Sequence, residues 1–181
     1  MDVLTRIKRA VLAGRYVFSE KARNEMETDD LTEVDIAESI MNADAVYKKV
    51  RSTSPLRTRR REYLYVIQST NLDGLVIYTK GKLVEAAGVE TLLSGFLEGS
   101  YIEENMARIK LTVCPNCYSK NLKKVRRTVS GTRQGRRYSV PGVEFYECPD
   151  CGERIYDPTA MRQIEQASHA GFKNRSAKRI A

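Results

Sequence analysis

Residues 114–117 read Cys-Pro-Asn-Cys and residues 148–152 read Cys-Pro-Asp-Cys-Gly, two C-x-x-C knuckles with thirty residues between them. A two-residue gap lets both sulfurs of a knuckle face one ion while turn amides donate to them, and tetrahedral zinc prefers four thiolates. Cys114, Cys117, Cys148 and Cys151 are therefore the expected ligands of one structural zinc per chain. A full shell of thiolates leaves no open position for substrate, so this zinc is scaffold rather than catalyst. Disulfides, a redox dithiol and an iron–sulfur cluster compete for the same four cysteines. A reducing compartment disfavours the first, and neither a thioredoxin-like unit nor a cluster-binding run accompanies the knuckles.

Working outward from the knuckles, the spacer carries Lys120, Lys123, Lys124, Arg126, Arg127, Arg133, Arg136 and Arg137 with no acid before Glu144. Residues 128–137 predict a hairpin with Gly131 and Gly135 in its turn. Lys123, Lys124, Arg126, Arg127, Arg136 and Arg137 are the candidate contacts to RNA or DNA; the plain alternative is the wet face of a small ribbon. Beyond the second knuckle, Asp157-Pro158 is a cap followed by proline at the first turn of a helix, with Met161 and Ile164 on one face. Residues 169–181, with His169, form a polar basic tail.

Charge divides the chain in the same place. Residues 1–110 hold 17 Lys+Arg against 17 Asp+Glu, whereas residues 111–181 hold 14 against 6, so the whole net charge of +8 lies in the second part. A basic segment of this kind suits an anionic partner, nucleic acid first. In 181 residues no apolar run approaches the ~18 of a membrane span, and Asp2, Arg6, Lys8 and Arg9 interrupt the start. A soluble cytoplasmic protein with no membrane partner is expected.

In the first part, Leu4, Ile7, Val11 and Leu12 repeat at helical spacing before Gly14, which predicts a helix over 2–13. A strand over 16–18 leads to Ser19, a cap for a helix running to about Thr28. Thr32 and Asp35 have capping-box spacing for a third helix. Residues 45–51, 63–69 and 75–79 are rich in Val, Ile and Tyr and read as strands, the last two joined by a turn at 71–74. Val89, Leu92, Leu93, Phe96 and Leu97 form a helical stripe interrupted by glycines. Helices followed by antiparallel strands make an α+β fold. The expected organisation is an α+β domain over 1–105, a four-cysteine zinc-ribbon-like module over 106–168 and the tail. Five arginines and no acid lie in residues 51–61, a basic loop that is either solvated or aimed at phosphate.

Two families come into view at these residues. The paired knuckles with Val140-Pro141-Gly142-Val143 between them resemble the YgiT/MqsA-type zinc-finger antitoxin domain, over about residues 109–168. Only thirty residues follow Cys151, too few for the helix-turn-helix domain by which a full-length antitoxin of that type reads its operator. The first part resembles a RelE-like or MqsR-like mRNA interferase. Phe18-Ser19-Glu20-Lys21-Ala22-Arg23 is similar to the Ser-x-His-Ala start of a related nuclease-toxin family, with Lys21 at the histidine position. Val46-Tyr47-Lys48, Glu62-Tyr63-Leu64 and Val76-Ile77-Tyr78-Thr79-Lys80 resemble segments carrying an active-site lysine, a tyrosine and a second lysine. The resemblance implies a metal-independent endoribonuclease using Lys48, Tyr63 and Lys80.

The chemistry is reasonable on its own terms. Without a usable histidine, another base must take the proton of the 2′-hydroxyl; neighbouring cations favour the neutral amine this requires, and Lys48 has Lys49 and Arg51 beside it. Lys80 and Arg60 would neutralise the pentavalent phosphate, and Tyr63 would protonate the leaving oxygen or stack on a base. The plain alternative is that these are strand aromatics and sheet-edge charges. The expected function is a toxin–antitoxin pair on one chain, an endoribonuclease-like domain with a zinc-finger neutraliser docked in cis through apolar and strand-edge contacts, residues 140–145 being the candidate edge. The alternative is a zinc-ribbon nucleic-acid-binding regulator with a non-catalytic N-terminal interaction domain.

Overall fold

Helix starts are set by local chemistry. Asp2 accepts from the Leu4 amide at 2.8 Å and opens α1 (Val3–Leu12), and Ser19 accepts from Ala22 and opens α2 (Glu20–Thr28). Thr32 and Asp35 exchange bonds in a capping box at α3 (Glu33–Asn42). Asp157 accepts from the Ala160 amide at 2.9 Å ahead of α4 (Pro158–His169). Each such cap contributes about 1 kcal/mol by satisfying an amide that has no partner inside the helix. The computed structural model describes residues 1–52, 62–86, 89–94 and 111–169.

The described strands are β1 (Tyr16–Ser19), β2 (Lys48–Arg51), β3 (Tyr63–Thr70), β4 (Val76–Ala86), β5 (Val89–Ser94), β6 (Lys123–Arg133), β7 (Arg136–Glu147) and β8 (Arg154–Tyr156). They form one sheet in the order β2-β3-β4-β5-β1-β8-β7-β6. Two antiparallel stretches, β2 to β5 and β1 to β6, meet where β1 runs parallel to β5. The helical stripe expected at residues 89–97 is a strand instead as far as Ser94; Phe96 and Leu97 lie outside the described residues. Strands on both sides, β4 and β1, give this backbone ladder partners that a helix would forgo, so tertiary pairing outweighs local spacing.

The hairpin between the knuckles is longer than the sequence predicts. Gln134 and Gly135, with φ of 47° and 75°, make its two-residue turn, whereas Gly131 lies within β6. A side chain at Gly131 would overlap the Tyr138 ring and the Glu27 carboxylate, so this glycine serves close approach rather than the turn.

Alternation across the sheet sorts the apolar residues into two layers. Tyr16, Phe18, Ile67, Val143 and Phe145 point to the side covered by the helices, where they pack with Ile7, Met26, Ile40 and Ile164. Val17, Tyr146 and Ile155 point to the other side and pack with Leu111, Cys114 and Cys148. The boundary drawn at 105/106 falls among residues 95–110, outside the described residues; on either side of it the chain contributes to the same sheet and the same helix-side core. The strand joining the parts is also a different one: β8 pairs with β1, while residues 140–145 sit inside β7 between β6 and β8. No helix among the described residues is long and apolar enough to cross a membrane.

Candidate functional site

The two knuckles have the same backbone. The Cys114 amide donates to Ser119 O at 2.8 Å and the Tyr118 amide to Cys114 O at 2.8 Å. In the second, the Cys148 amide donates to Glu153 O at 2.9 Å and the Gly152 amide to Cys148 O at 2.8 Å. The residue after the second cysteine is left-handed in both, with φ of 62° at Tyr118 and 73° at Gly152. Glycine adopts this freely, whereas a tyrosine there costs about 1–2 kcal/mol. The sulfurs of Cys114 and Cys151 lie 3.7 Å apart and those of Cys117 and Cys148 3.6 Å apart, and all four lie within 4.8 Å of one another. Four thiolates at about 2.3 Å from a tetrahedral ion would be separated by about 3.8 Å, so this cluster is shaped to hold a metal ion.

Polar links brace the cluster. Asn116 Nδ2 reaches Cys151 Sγ at 3.8 Å and donates to Glu153 Oε2 at 3.2 Å, while Glu153 Oε1 accepts from the Glu20 amide at the start of α2. Ser119 and Asn121 of the first knuckle bond to Asp150 of the second. Burial pushes the Cys114 thiol up, and burial also opposes ionisation of Cys148, but there the amides of Cys151 and Asp150 prevail and bring it down. A bound cation removes the need for protons on either sulfur.

The expected catalytic residues divide between the two faces of the sheet. Lys48 stands opposite Val66, and Val66 opposite Lys80, so both lysines share one face with a buried valine between them; both are exposed. Tyr63 stands opposite Arg51, on the other face, with Lys49 Nζ 4.0 Å from its ring centroid. The period of two residues thus sets Tyr63 on the face opposite both lysines. Arg60 lies outside the described residues.

Sequence reasoning passed over Lys82, two residues beyond Lys80 on the same face. Its Nζ lies 3.2 Å from Glu62 Oε2, and the Tyr118 ring of the first knuckle lies over it at 5.3 Å. Burial and the neighbouring Glu62 carboxylate push the Tyr118 phenol up. The cluster thus stands on the sheet face that carries Lys48 and Lys80. A signal for Lys82 was present in the period-two spacing from Lys80, but Glu62 and Tyr118 are joined to it only by the fold.

The six candidate nucleic-acid cations are all exposed along the outer hairpin. Alternation and the bulge after Arg127 place Lys123, Arg127 and Arg136 on the helix side and Lys124, Arg126 and Arg137 on the cysteine side. Lys124 pairs with Glu144 at 3.0 Å and Arg127 with Glu147 at 2.7 Å, and Arg126 donates to Gly142 O at 3.1 Å. Arg133, by contrast, is buried and ties the hairpin to Asp30 at 2.8 Å and to Leu31 O at 3.2 Å.

A buried polar seam also joins the two parts of the chain. Arg23 bonds Glu20 at 2.9 Å, Glu27, and the Tyr138 hydroxyl at 2.7 Å, and Tyr156 donates to Glu20 Oε2 at 2.6 Å. Burial opposes the Arg23 charge, but Glu27 and the other partners outweigh it and hold the guanidinium above its ordinary value. Glu33 is fully buried and accepts from Tyr16 at 2.7 Å and from Arg162 at 2.9 Å; burial nonetheless pushes its carboxyl up to about 7. Glu165 accepts from the Glu33 amide at 2.8 Å, and burial together with the Glu33 charge pushes it up to about 8. Comparison with protein families, with curated proteins and with solved structures finds no match for this chain.

Proposed function

We propose that the chain is a fused toxin–antitoxin-type protein, an endoribonuclease-like part with a zinc-ribbon neutraliser of the YgiT/MqsA type packed against it in cis. The observation that supports this most directly is that Lys48 and Lys80 share the sheet face on which the first cysteine knuckle stands. In this reading the 2′-oxygen of RNA attacks the adjacent phosphorus and the bond to the 5′-oxygen breaks, leaving a 2′,3′-cyclic phosphate and a 5′-hydroxyl. Lys48 takes the 2′-hydroxyl proton, and Lys80 neutralises the crowded phosphate and returns a proton to the leaving oxygen. Arg60 of the basic loop supplies a second cation, and Tyr63, facing away, contributes to the sheet. The metal is zinc: four thiolates with tetrahedral separations are its preferred shell, and its part is to hold the two knuckles.

The six exposed cations of the outer hairpin favour a second reading, a zinc-ribbon regulator that binds RNA or DNA there while the N-terminal part serves as an interaction domain. Purified full-length chain, incubated with end-labelled single-stranded RNA in the presence and absence of a zinc chelator, separates the two. Cleavage to 2′,3′-cyclic ends that disappears in Lys80→Ala supports the endoribonuclease. Intact RNA under both conditions, with binding that Arg136→Ala and Arg137→Ala weaken, supports the regulator.

A further inference from the structure

Lys82 is unlike its neighbours in the sheet. Lys80 is exposed, whereas the Lys82 side chain is only 11% exposed and that of its partner Glu62 only 8%. The second carboxylate oxygen, Glu62 Oε1, is buried with no hydrogen-bond partner among the described residues. Enclosing an ion pair that is not fully bonded costs more than filling the same space with apolar side chains.

Among the described residues Tyr118 lies over Lys82, and it belongs to the first cysteine knuckle. It follows the ligand Cys117 directly, its ring lies 5.3 Å from Lys82 Nζ, and its backbone is left-handed at φ 62°. A tyrosine does not choose that conformation; the turn imposes it, and a bound ion would pin the turn at both cysteines. Without the ion, Tyr118 can relax to an ordinary backbone conformation and carry its ring off the lysine. Glu62, on the sheet side, would still hold the Lys82 ammonium in place.

We propose that Lys82 is a third cation on the face that carries Lys48 and Lys80, and that Tyr118, held by the metal-bound first knuckle, covers it and keeps it from an RNA phosphodiester. The choice of ligand rests on the endoribonuclease reading above; the cover does not.

The cover is tested without RNA, on the full-length chain, by brief acetylation and fragment mass spectrometry that resolves Lys80 from Lys82. In metal-loaded wild type, Lys82 should react at least ~10-fold more slowly than Lys80, as expected of an amine reached only by local opening. Tyr118→Ala with its metal retained by elemental analysis, and wild type after chelation, should bring Lys82 close to the rate of Lys80, while Tyr118→Phe should stay slow. Equal rates in metal-loaded wild type, or a slow Lys82 in Tyr118→Ala, would overturn the cover. The ligand is tested by binding of a 2′-O-methyl single-stranded RNA, which cannot be cleaved. Metal-loaded Tyr118→Ala should bind it several-fold more tightly than wild type, and adding Lys82→Ala should abolish the gain. Unmasking with no gain in RNA binding would overturn the ligand and leave the cover standing; absence of cleavage by wild type bears on the endoribonuclease reading and leaves the acetylation result unaffected.

Discussion

Phe18 of β1 stands directly opposite Tyr156 of β8, and this pair, with Ser19 opposite Ile155, joins the N-terminal to the C-terminal part of the chain in one ladder. Both are fully buried, Tyr156 stacks on Phe145 at 5.1 Å between ring centroids, and its hydroxyl reaches Glu20 on α2. The two parts are therefore expected to unfold together. Tyr156→Ala should cost about 3–5 kcal/mol, and tyrosine fluorescence and far-ultraviolet dichroism should report one coincident transition. Two separated transitions would show that the parts are independent.

Metal removal should act locally. Zinc-ribbon modules commonly depend on their ion for folding, but here Val143, Phe145 and Ile164 lie in the helix-side core shared with α1 and α3. Purified protein should hold one zinc per chain. Chelation or Cys148→Ser should speed amide hydrogen exchange in residues 111–122 and 148–153 while β6 and β7 keep their protection. Loss of protection throughout β7 would show that the ion supports the whole sheet.

Stability should fall as pH rises through neutrality. Glu33 and Glu165 have carboxyls raised to about 7 and about 8 in the folded chain, so the folded state holds protons that the unfolded state has released. This stabilisation is complete below about pH 4.5 and is lost as pH climbs through the raised values, a change of several kcal/mol. Glu165→Gln should flatten the dependence between pH 5 and pH 8. Urea melts of the two proteins across that range give the comparison, and parallel curves would refute the assignment.

The sheet register makes unequal demands on the expected catalytic residues. If RNA is cleaved, Lys80→Ala should lower the rate by about 100-fold with the fold intact, as for loss of a transition-state cation. Tyr63→Phe should change it by less than about threefold, because the ring lies on the opposite face with Lys49 above it. Single-turnover rates decide this, and a large loss in Tyr63→Phe would place the reaction on the helix side.

Nucleic-acid binding at the hairpin should be salt-sensitive. Arg136 and Arg137 are exposed beside the turn, and replacing both with alanine should reduce the slope of log affinity against log salt by about two. Fluorescence anisotropy over a salt series measures it; an unchanged slope would remove them from the contact.

The metal cluster and most of the elements were legible in the chain because their causes are local. Ser19, Thr32 and Asp157 reach amides three residues away, and each knuckle closes within six residues through its own backbone bonds. Those contacts form whatever surrounds them, so spacing alone predicts them.

What lay beyond the sequence depends on partners far along the chain. Residues 89–94 have helical apolar spacing yet become a strand, since β1, more than seventy residues earlier, occupies their second edge. The pairing of β8 with β1 merges what composition and charge divide, and no local pattern announces it. Face assignment is of the same kind. Because side chains alternate with a period of two, the register of β2, β3 and β4 decides that Lys48 and Lys80 share a face while Tyr63 turns away, and one residue of slip would reverse it. Lys82, Glu62 and Tyr118 come together only once the strands are paired and the first knuckle is laid on their face, because burial and ion pairing between distant residues are properties of the packed sheet and not of any segment of it.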